Sequence, residues 1–306
     1  MSACCGPDRS RSTDPEAPAV HPPDAPAPAL LERLSARAGE DLRFAGLPGG
    51  TFRMGADDAL AYPEDGEGPV RTVTVEPFAI AVTTVTVAQF AAFVAETGHR
   101  TDAEVHGSSL VFAGLMSAEA RAASPAVVAT PWWREVAGAA WFRPEGPGSS
   151  VEDRADHPVT HVSQRDAQAY AQWVGARMPT ETEWEYAARG GLDQQPYPWG
   201  AERTPDGEAR MNTFPGTFPD GPTGPVGTVA ADSFPPNGYG LHNMTGNVWE
   251  WTASPFRDDD PRPVVRGGSY MCHASYCRRY RTSARTAVTP DTSLGHTGFR
   301  LAVTPG

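Results

Sequence analysis

The sequence predicts a loop-rich α+β domain, because turn-forming residues are abundant, helical patterns are few and strand patterns are short and scattered. The 306 residues include 31 glycines and 31 prolines, while a hydrophobic fraction of 40% still permits a packed core. No internal repeat or interdomain linker is visible, so we expect a single domain over residues 42–306. Residues 1–41 are expected to be a disordered Pro/Ala-rich tail, because residues 15–28 lack the apolar side chains that would offset the entropy of ordering.

Short stretches rich in β-branched residues predict the strands. The segment 43–54 is apolar with a Pro48-Gly49-Gly50 break, which predicts a hairpin. The further predicted strands are residues 70–75, 78–85, 264–266 and 298–303.

Three segments have helical spacing of apolar residues and recognisable ends. They are residues 87–97 with Gly98 as the stop, a stretch from the N-cap Ser163 to Gly175, and a stretch from Thr180 to Gly190. The last begins with Thr-Glu-Thr-Glu, the pattern of a capping box. By contrast, residues 107–151 show no clear periodicity and are predicted to be irregular.

Residues 192–254 form a long segment rich in the turn-forming residues Gly, Pro, Asn and Asp. Because a structureless loop of this length is unusual in a compact domain, we expect either a docked functional loop or a bound ion that organises it.

The formal net charge of -12 argues against nucleic acid as a partner. No apolar run approaches the roughly 18 residues that span a membrane, and the start of the chain lacks the apolar core of a secretory signal. We therefore expect a cytoplasmic protein without a membrane partner. Nothing in the sequence requires more than a monomer.

Cys272 and Cys277, with four residues between them, are the sharpest local feature. A buried inert pair, a redox disulfide and a metal site are all compatible with this spacing. Zinc would require a second pair of ligands, whereas two thiolates suit a soft ion such as copper(I). Nearby cations lower thiol pKa values and favour reactivity. Three of them follow directly: Arg278, Arg279 and Arg281.

Six stretches together resemble the formylglycine-generating enzyme family, also called the sulfatase-modifying factor family. They are GGTFRMG at 49–55, HPV at 157–159, MPTETEWEYAARGG at 178–191, NGYGLHNMTGNVWEW at 237–251, RGGSY at 266–270 and GFR at 298–300. The resemblance covers roughly residues 44–303 and implies a fold related to C-type lectins. The Met-Cys-His-x-Ser-Tyr-Cys string ending at Cys277 is similar to that of family members that generate formylglycine.

The resemblance implies the roles of individual residues. Cys272 and Cys277 would bind copper(I) in a near-linear bis-thiolate site, and Ser269 would lie beside an oxygen pocket. Trp249 and Tyr276 resemble members of the pocket wall. The implied substrate is an unfolded or nascent sulfatase polypeptide with a Cys-x-Pro-x-Arg motif. Its cysteine becomes formylglycine, with O2 as co-substrate and an external thiol as reductant.

The resemblance also implies structural calcium in the long loop, since calcium accepts carbonyl, amide and carboxylate oxygens. The first set of ligands is Asn243, Gly246, Val248 and Glu250. The second set is Asn212, Thr213, Asp220 and Pro222, where the spacing is shorter than in relatives. A plain turn also explains the first set, because Asn and Gly favour turns.

Three other functions remain open. An iron-dependent sulfoxide synthase has the same scaffold but would need a His-x-x-x-His-x-Glu cluster, which is not visible. A lectin-like binding or structural module would have no chemistry at the cysteines. A thiol oxidoreductase would use them without a metal.

Overall fold

The computed structural model describes residues 28–35 and 42–304, and within them it has the predicted α+β, loop-rich architecture. The helices are α1 (Pro28–Ser35), α2 (Val87–Thr97), α3 (Asp102–His106), α4 (Ala118–Ala123), α5 (Gln164–Trp173) and α6 (Glu181–Arg189). The first strands are β1 (Phe44–Leu47), β2 (Gly50–Met54), β3 (Arg71–Val75), β4 (Phe78–Ala81), β5 (Ser108–Phe112), β6 (Ala126–Val127) and β7 (Thr130–Ala137). The remaining strands are β8 (Gly216–Thr217), β9 (Gly221–Pro222), β10 (Trp249–Arg257), β11 (Asp260–Arg266), β12 (Arg285–Ala287), β13 (Thr297–Phe299) and β14 (Ala302–Val303).

The strands form several small sheets. The largest has the order β12-β11-β10-β13, in which β10 and β13 are parallel and the other neighbours are antiparallel. Two three-stranded sheets have the orders β1-β4-β14 and β5-β7-β6, and two pairs are β2-β3 and β8-β9. The main apolar core lies between α2, α5 and the largest sheet, where the ring of Tyr170 contacts those of Phe90 and Phe299.

The predicted hairpin over residues 43–54 is wrong, although both of its strands exist. β1 pairs with β4, and β2 pairs with β3. Gly49 makes the separation possible, because its φ is 67° and an added Cβ would lie 2.3 Å from the backbone oxygen of Val75. The Pro-Gly-Gly break therefore sends the chain into a second sheet instead of back along the first.

The three predicted helices are confirmed, and their ends show why the sequence specified them. Ser163 and Thr180 each cap the following helix in a capping box. Gly98 and Gly190 end α2 and α6 in the left-handed conformation.

The prediction that residues 107–151 are irregular is wrong, because α4 and the β5-β7-β6 sheet form there. All five residues of β5 are buried, so this strand has no polar face and no alternation that a sequence pattern would reveal.

Helix α1 lies inside the stretch predicted as a tail, and Leu30 and Leu31 pack against the main core. The rest of the tail prediction falls on residues 1–27 and 36–41, outside the described residues.

Buried ion pairs connect the helices to the large sheet just before the cysteine segment. Arg266, the last residue of β11, binds Glu181 at 2.8 Å and Glu185 at 2.6 Å. Arg300 binds both carboxylate oxygens of Glu250 at 2.6 and 2.7 Å. These pairs fix the point where the chain leaves β11 and enters the glycines that precede Ser269. In the described part of the chain, no helix combines the length and apolar character needed to cross a membrane.

Candidate active site

Cys272 and Cys277 face each other inside one tight segment, residues 269–277, which we call the cysteine turn. Their sulfurs are 3.3 Å apart, and each residue is 2% exposed. A disulfide would need about 2.05 Å between the sulfurs, so this is a non-bonded pair. A near-linear site would need sulfurs roughly 4.6 Å apart, because metal–thiolate bonds are about 2.3 Å long, so the pair must open by roughly 1.3 Å to hold an ion in the predicted geometry. The donor type, two sulfurs, suits a soft metal.

Two backbone turns shape the cysteine turn. The N–H of Cys272 donates to the carbonyl of Ser269 at 2.9 Å, and the N–H of Cys277 donates to the carbonyl of His273 at 2.7 Å. Gly268 lets the two ends approach, because its φ is 72° and an added Cβ would lie 2.8 Å from the backbone oxygen of Arg279. The five-residue separation thus places both side chains on the same side of the turn.

Ser269 lies at the start of this turn and is fully buried, as its predicted role beside the cysteines requires. Its N–H points to the sulfur of Cys272 at 3.4 Å, and its hydroxyl accepts from the N–H of Met271 at 3.3 Å. The same hydroxyl is 3.0 Å from Nδ1 of His296. Ser269 therefore touches one predicted metal ligand directly.

Buried acidic residues hold the far end of the turn, and sequence reasoning missed them. Arg279 pairs with Asp65 at 2.5 Å, and Arg281 binds both carboxylate oxygens of Glu67 at 2.5 and 2.7 Å. Burial raises the pKa of Asp65 although Arg279 opposes the shift. A guanidinium nitrogen of Arg279 lies 3.9 Å from the sulfur of Cys277. Its positive charge favours the thiolate form at this position.

Aromatic side chains cover the outer side of the turn. The half-buried ring of Tyr276 stacks on Phe218 at 4.3 Å and meets the edge of Trp132 at 4.9 Å. Trp132 also lines an open cavity of about 430 Å³, together with Phe112 and Pro222. The predicted wall residue Tyr276 therefore packs against Trp132, which is part of the cavity wall.

Trp249, the other predicted wall residue, lies deeper. It is 1% exposed and belongs to the same apolar core as both cysteines. Its N–H donates to the carbonyl of His296 at 2.8 Å. His296 was missed by sequence reasoning, because nothing in its local sequence indicates contact with Ser269.

The first predicted calcium set lies in one loop, and one of its atoms is suited to a cation. The amide nitrogen of Asn243 donates to the carbonyls of Ala230 and Ala231, at 3.3 and 3.0 Å. Its Oδ1 is buried without a hydrogen-bond partner in the described structure. Glu250 is engaged by Arg300 and by the indole N–H of Trp184 at 2.7 Å. The predicted carbonyl ligands, Gly246 and Val248, lie in the chain between Asn243 and Glu250.

The four residues of the second predicted calcium set lie in two separate groups. The amide of Asn212 donates to Gly227 and Asn247, and the hydroxyl of Thr213 accepts from Arg203 at 2.8 Å. The last two members are exposed on the β8-β9 hairpin: Asp220 and Pro222. Among the described residues, no hydrogen bond joins these two groups, so this site stays a prediction.

No cluster of three or more His, Cys, Asp or Glu side chains suited to a metal occurs within residues 28–35 and 42–304. A metal at the cysteine turn would therefore take only two such ligands from the described chain.

The chain matches a known domain family over most of its length. The sulfatase-modifying factor enzyme 1-like domain matches residues 37–305. A formylglycine-generating enzyme of Thermomonospora curvata is 54% identical over 85% of this chain and 92% of that protein. A Bos taurus protein named inactive C-alpha-formylglycine-generating enzyme 2 is 46% identical, over 86% of this chain and 89% of its own length.

Among solved structures, PvdO from Pseudomonas aeruginosa matches with a TM-score of 0.61 and 25% identity, covering 86% of this chain and 94% of that one. The fold implied by the sequence resemblance is thereby confirmed. Because the domain match extends over nearly all of the described residues, this chain belongs to the sulfatase-modifying factor family, whose members include the formylglycine-generating enzymes.

Proposed function

We propose that this chain is an oxidase that converts the cysteine of a Cys-x-Pro-x-Arg motif in sulfatase polypeptides to formylglycine. The observation that carries the proposal is the pair of facing cysteines, with sulfurs 3.3 Å apart, in a turn whose Tyr276 packs against Trp132 at the wall of a cavity. The chain is 54% identical to the formylglycine-generating enzyme of Thermomonospora curvata and 46% identical to the Bos taurus protein named inactive, and the first of these relatives supports the proposal.

The proposed reaction balances with oxygen and a thiol reductant. A cysteine side chain, CH2–SH, together with O2 and two hydrogen atoms from the reductant, gives the aldehyde CHO, H2S and water. The substrate cysteine is oxidised by two electrons and the reductant supplies two more, so O2 accepts four. The two cysteines of the turn undergo no net change.

Copper(I) is the metal that fits this site best, and Cys272 and Cys277 would hold it. When bound, a soft redox metal supplies the activation of oxygen. The protein holds both sulfurs in a nearly dry environment, where only 2% of each cysteine is exposed. The N–H of Ser269 and the guanidinium of Arg279 lie beside one sulfur each and stabilise negative charge there.

The peptide would bind along the cavity beside the turn. Trp132, against which Tyr276 packs, presents an aromatic surface to the cavity, and such a surface suits the proline of the motif. The net charge of -12 favours the approach of a peptide that carries an arginine. Once the peptide is bound, its cysteine is held at a fixed position next to the sulfur pair, which replaces a chance encounter.

We also propose that calcium binds at the loop between residues 243 and 250. The support is the buried, unpartnered Oδ1 of Asn243, which a cation would satisfy. The carbonyls of Gly246 and Val248 and a carboxylate oxygen of Glu250 would complete the set. Glu250 already binds Arg300, yet a carboxylate has about four acceptor sites and retains capacity for an ion.

The decisive experiment incubates the protein with copper(I), O2, a thiol reductant and a Cys-x-Pro-x-Arg peptide. Mass spectrometry and aldehyde trapping then follow the peptide. We expect aldehyde from the wild-type protein and none from C272A, from C277A or after removal of copper by a chelator. A peptide with serine in place of cysteine is the matched control.

A lectin-like module without chemistry would produce no aldehyde in any of these reactions. A metal-free thiol oxidoreductase would instead convert the peptide to a disulfide, with no effect of the chelator. Either result would replace the proposed function by the corresponding alternative.

A further inference from the structure

His296 is buried directly behind the cysteine turn. It is 1% exposed, and its ring meets the indole of Trp133 edge-on at 4.7 Å. It precedes β13, and its carbonyl accepts the N–H of Trp249 at the start of β10. Its Nδ1 lies 3.0 Å from the hydroxyl of Ser269. One residue thus connects the large sheet to the first residue of the cysteine turn.

Ser269 in turn contacts Cys272 and its sulfur. Its carbonyl accepts the N–H of Cys272, its own N–H points to the sulfur of Cys272, and its hydroxyl accepts the N–H of Met271. The N–H of Cys277 donates instead to the carbonyl of His273. A change in the placement of Ser269 would therefore reach Cys272 before Cys277.

The hydroxyl of Ser269 has few bonding directions left. A serine hydroxyl has one proton and two lone pairs. One lone pair is used by the N–H of Met271, and His296 uses a second direction whichever tautomer it adopts. These two contacts leave one bonding direction on the Ser269 oxygen and fix its orientation. Without His296 the hydroxyl can rotate among several orientations.

We infer that His296 is a positioning residue for Ser269: its Nδ1 fixes the direction of the Ser269 hydroxyl and the placement of the Cys272 sulfur. The inference rests on the proposed function for its catalytic consequence, because there Ser269 faces the reacting groups. Its structural consequence, a selective effect on Cys272, does not depend on that function.

The first test is a double-mutant cycle on aldehyde formation. H296F keeps a ring of similar size without Nδ1, and we expect kcat to fall about tenfold with little change in the KM for the peptide. H296N places an amide atom near the position of Nδ1 and should recover most of that loss. H296Q, whose amide lies nearer the position of Nε2, should not.

The double variant S269A/H296F decides whether the histidine acts through the serine. We expect it to be no slower than S269A alone, because the groups form one unit. Losses that multiply, or a change confined to KM, would overturn the inference. Equal activities of H296N and H296F would do the same.

The second test needs no aldehyde formation. Metal-free wild type, H296F, H296N and H296Q are treated briefly with iodoacetamide, and peptide mapping gives the alkylation rate at each cysteine. In H296F and H296Q we expect the alkylation rate of Cys272 to change several-fold and that of Cys277 to stay the same. In H296N the alkylation rate of Cys272 should return to the wild-type value. Thermal unfolding of each variant confirms that it is folded.

The two tests separate the two ideas. If the wild type forms no aldehyde, the proposed function fails, while the alkylation pattern still decides the role of His296. If the rates at Cys272 and Cys277 change together, or neither changes, His296 does not position this turn through Ser269.

Discussion

Two buried regions differ in the contacts of their polar groups. One is the set of ion pairs around Arg266, and the other is the cysteine turn. Arg266 is surrounded by two carboxylates and by the carbonyls of Thr282 and Ser283. The sulfurs of Cys272 and Cys277 instead face each other, with the N–H of Ser269 at 3.4 Å from one and a guanidinium nitrogen of Arg279 at 3.9 Å from the other. The charged groups around Arg266 hold the fold, whereas two facing sulfurs can bind a soft ion. Substitutions in the first region should therefore reduce stability, and those in the second should reduce activity.

The largest effect is expected from C272A and C277A. Each should lower aldehyde formation at least about a thousandfold, because neither remaining sulfur can hold a metal alone. The free energy of unfolding should fall by only about 1 kcal/mol, since a small buried group is lost. Denaturant unfolding measured with the activity assay checks both. A loss of several kcal/mol would place the cysteines among the groups that hold the fold.

The next effect concerns Arg266. R266M leaves Glu181 and Glu185 buried with fewer positive partners, so the free energy of unfolding should fall by about 3–5 kcal/mol. R262M is the matched control on β11, because Arg262 pairs with Asp260 near the surface and should contribute less than about 1 kcal/mol. Equal losses in the two variants would contradict the structural role given to Arg266.

Calcium should stabilise the fold through the loop at Asn243. At a calcium concentration of about 100 times Kd, the stabilisation is about 2.7 kcal/mol, and a chelator should remove it. N243A should abolish this response because it deletes the unpartnered Oδ1. The control N237A loses bonds to Ala187 and Ala188 and should unfold more easily while keeping its response to calcium. A calcium response unchanged in N243A would refute this site.

The aromatic surface beside the turn should affect binding more than chemistry. W132A and Y276A should each raise the peptide KM about tenfold with a smaller change in kcat, because they remove about 1.4 kcal/mol of contact. W173A on α5 removes a half-buried tryptophan outside the site and should leave KM unchanged. Steady-state kinetics separates these outcomes, and an unchanged KM in W132A and Y276A would place the peptide elsewhere.

The smallest effect is the acid dependence of the cap of α6. Burial alone would raise the pKa of Glu183, but hydrogen bonds from Arg177 and Thr180 outweigh burial and hold the pKa below its usual range. A lowered folded pKa gives stability that is complete above the unfolded pKa of about 4.3 and is lost as the pH falls through the folded pKa. E183Q should therefore be about 1 kcal/mol less stable at pH 7. The deficit should shrink below about pH 4, and urea unfolding at several pH values tests this.

The parts of the fold that the sequence predicted correctly are those set by local chemistry. The capping boxes at Ser163 and Thr180 involve residues three apart, so they are visible in the sequence. The strands β5 and β7 were missed, because their burial depends on neighbours far along the chain.

The same distinction holds at the site. The spacing of Cys272 and Cys277 indicated a pair and left three interpretations open, and the 3.3 Å separation of the sulfurs shows that no disulfide joins them. Asp65 and Glu67 are more than 200 residues from the arginines that they bind, and no local pattern connects them. His296 was missed for the same reason, since its contact with Ser269 comes from the packing of β13 against β10.

We propose above all that the two sulfurs together hold one soft metal ion. The most direct test of this metal site is a competition titration with copper(I) and a coloured chelator, performed on the wild type, C272A and C277A. We predict that the wild type binds one equivalent tightly and that C272A and C277A each lose this affinity by at least about a hundredfold. Wild-type affinity in either single variant would contradict the account.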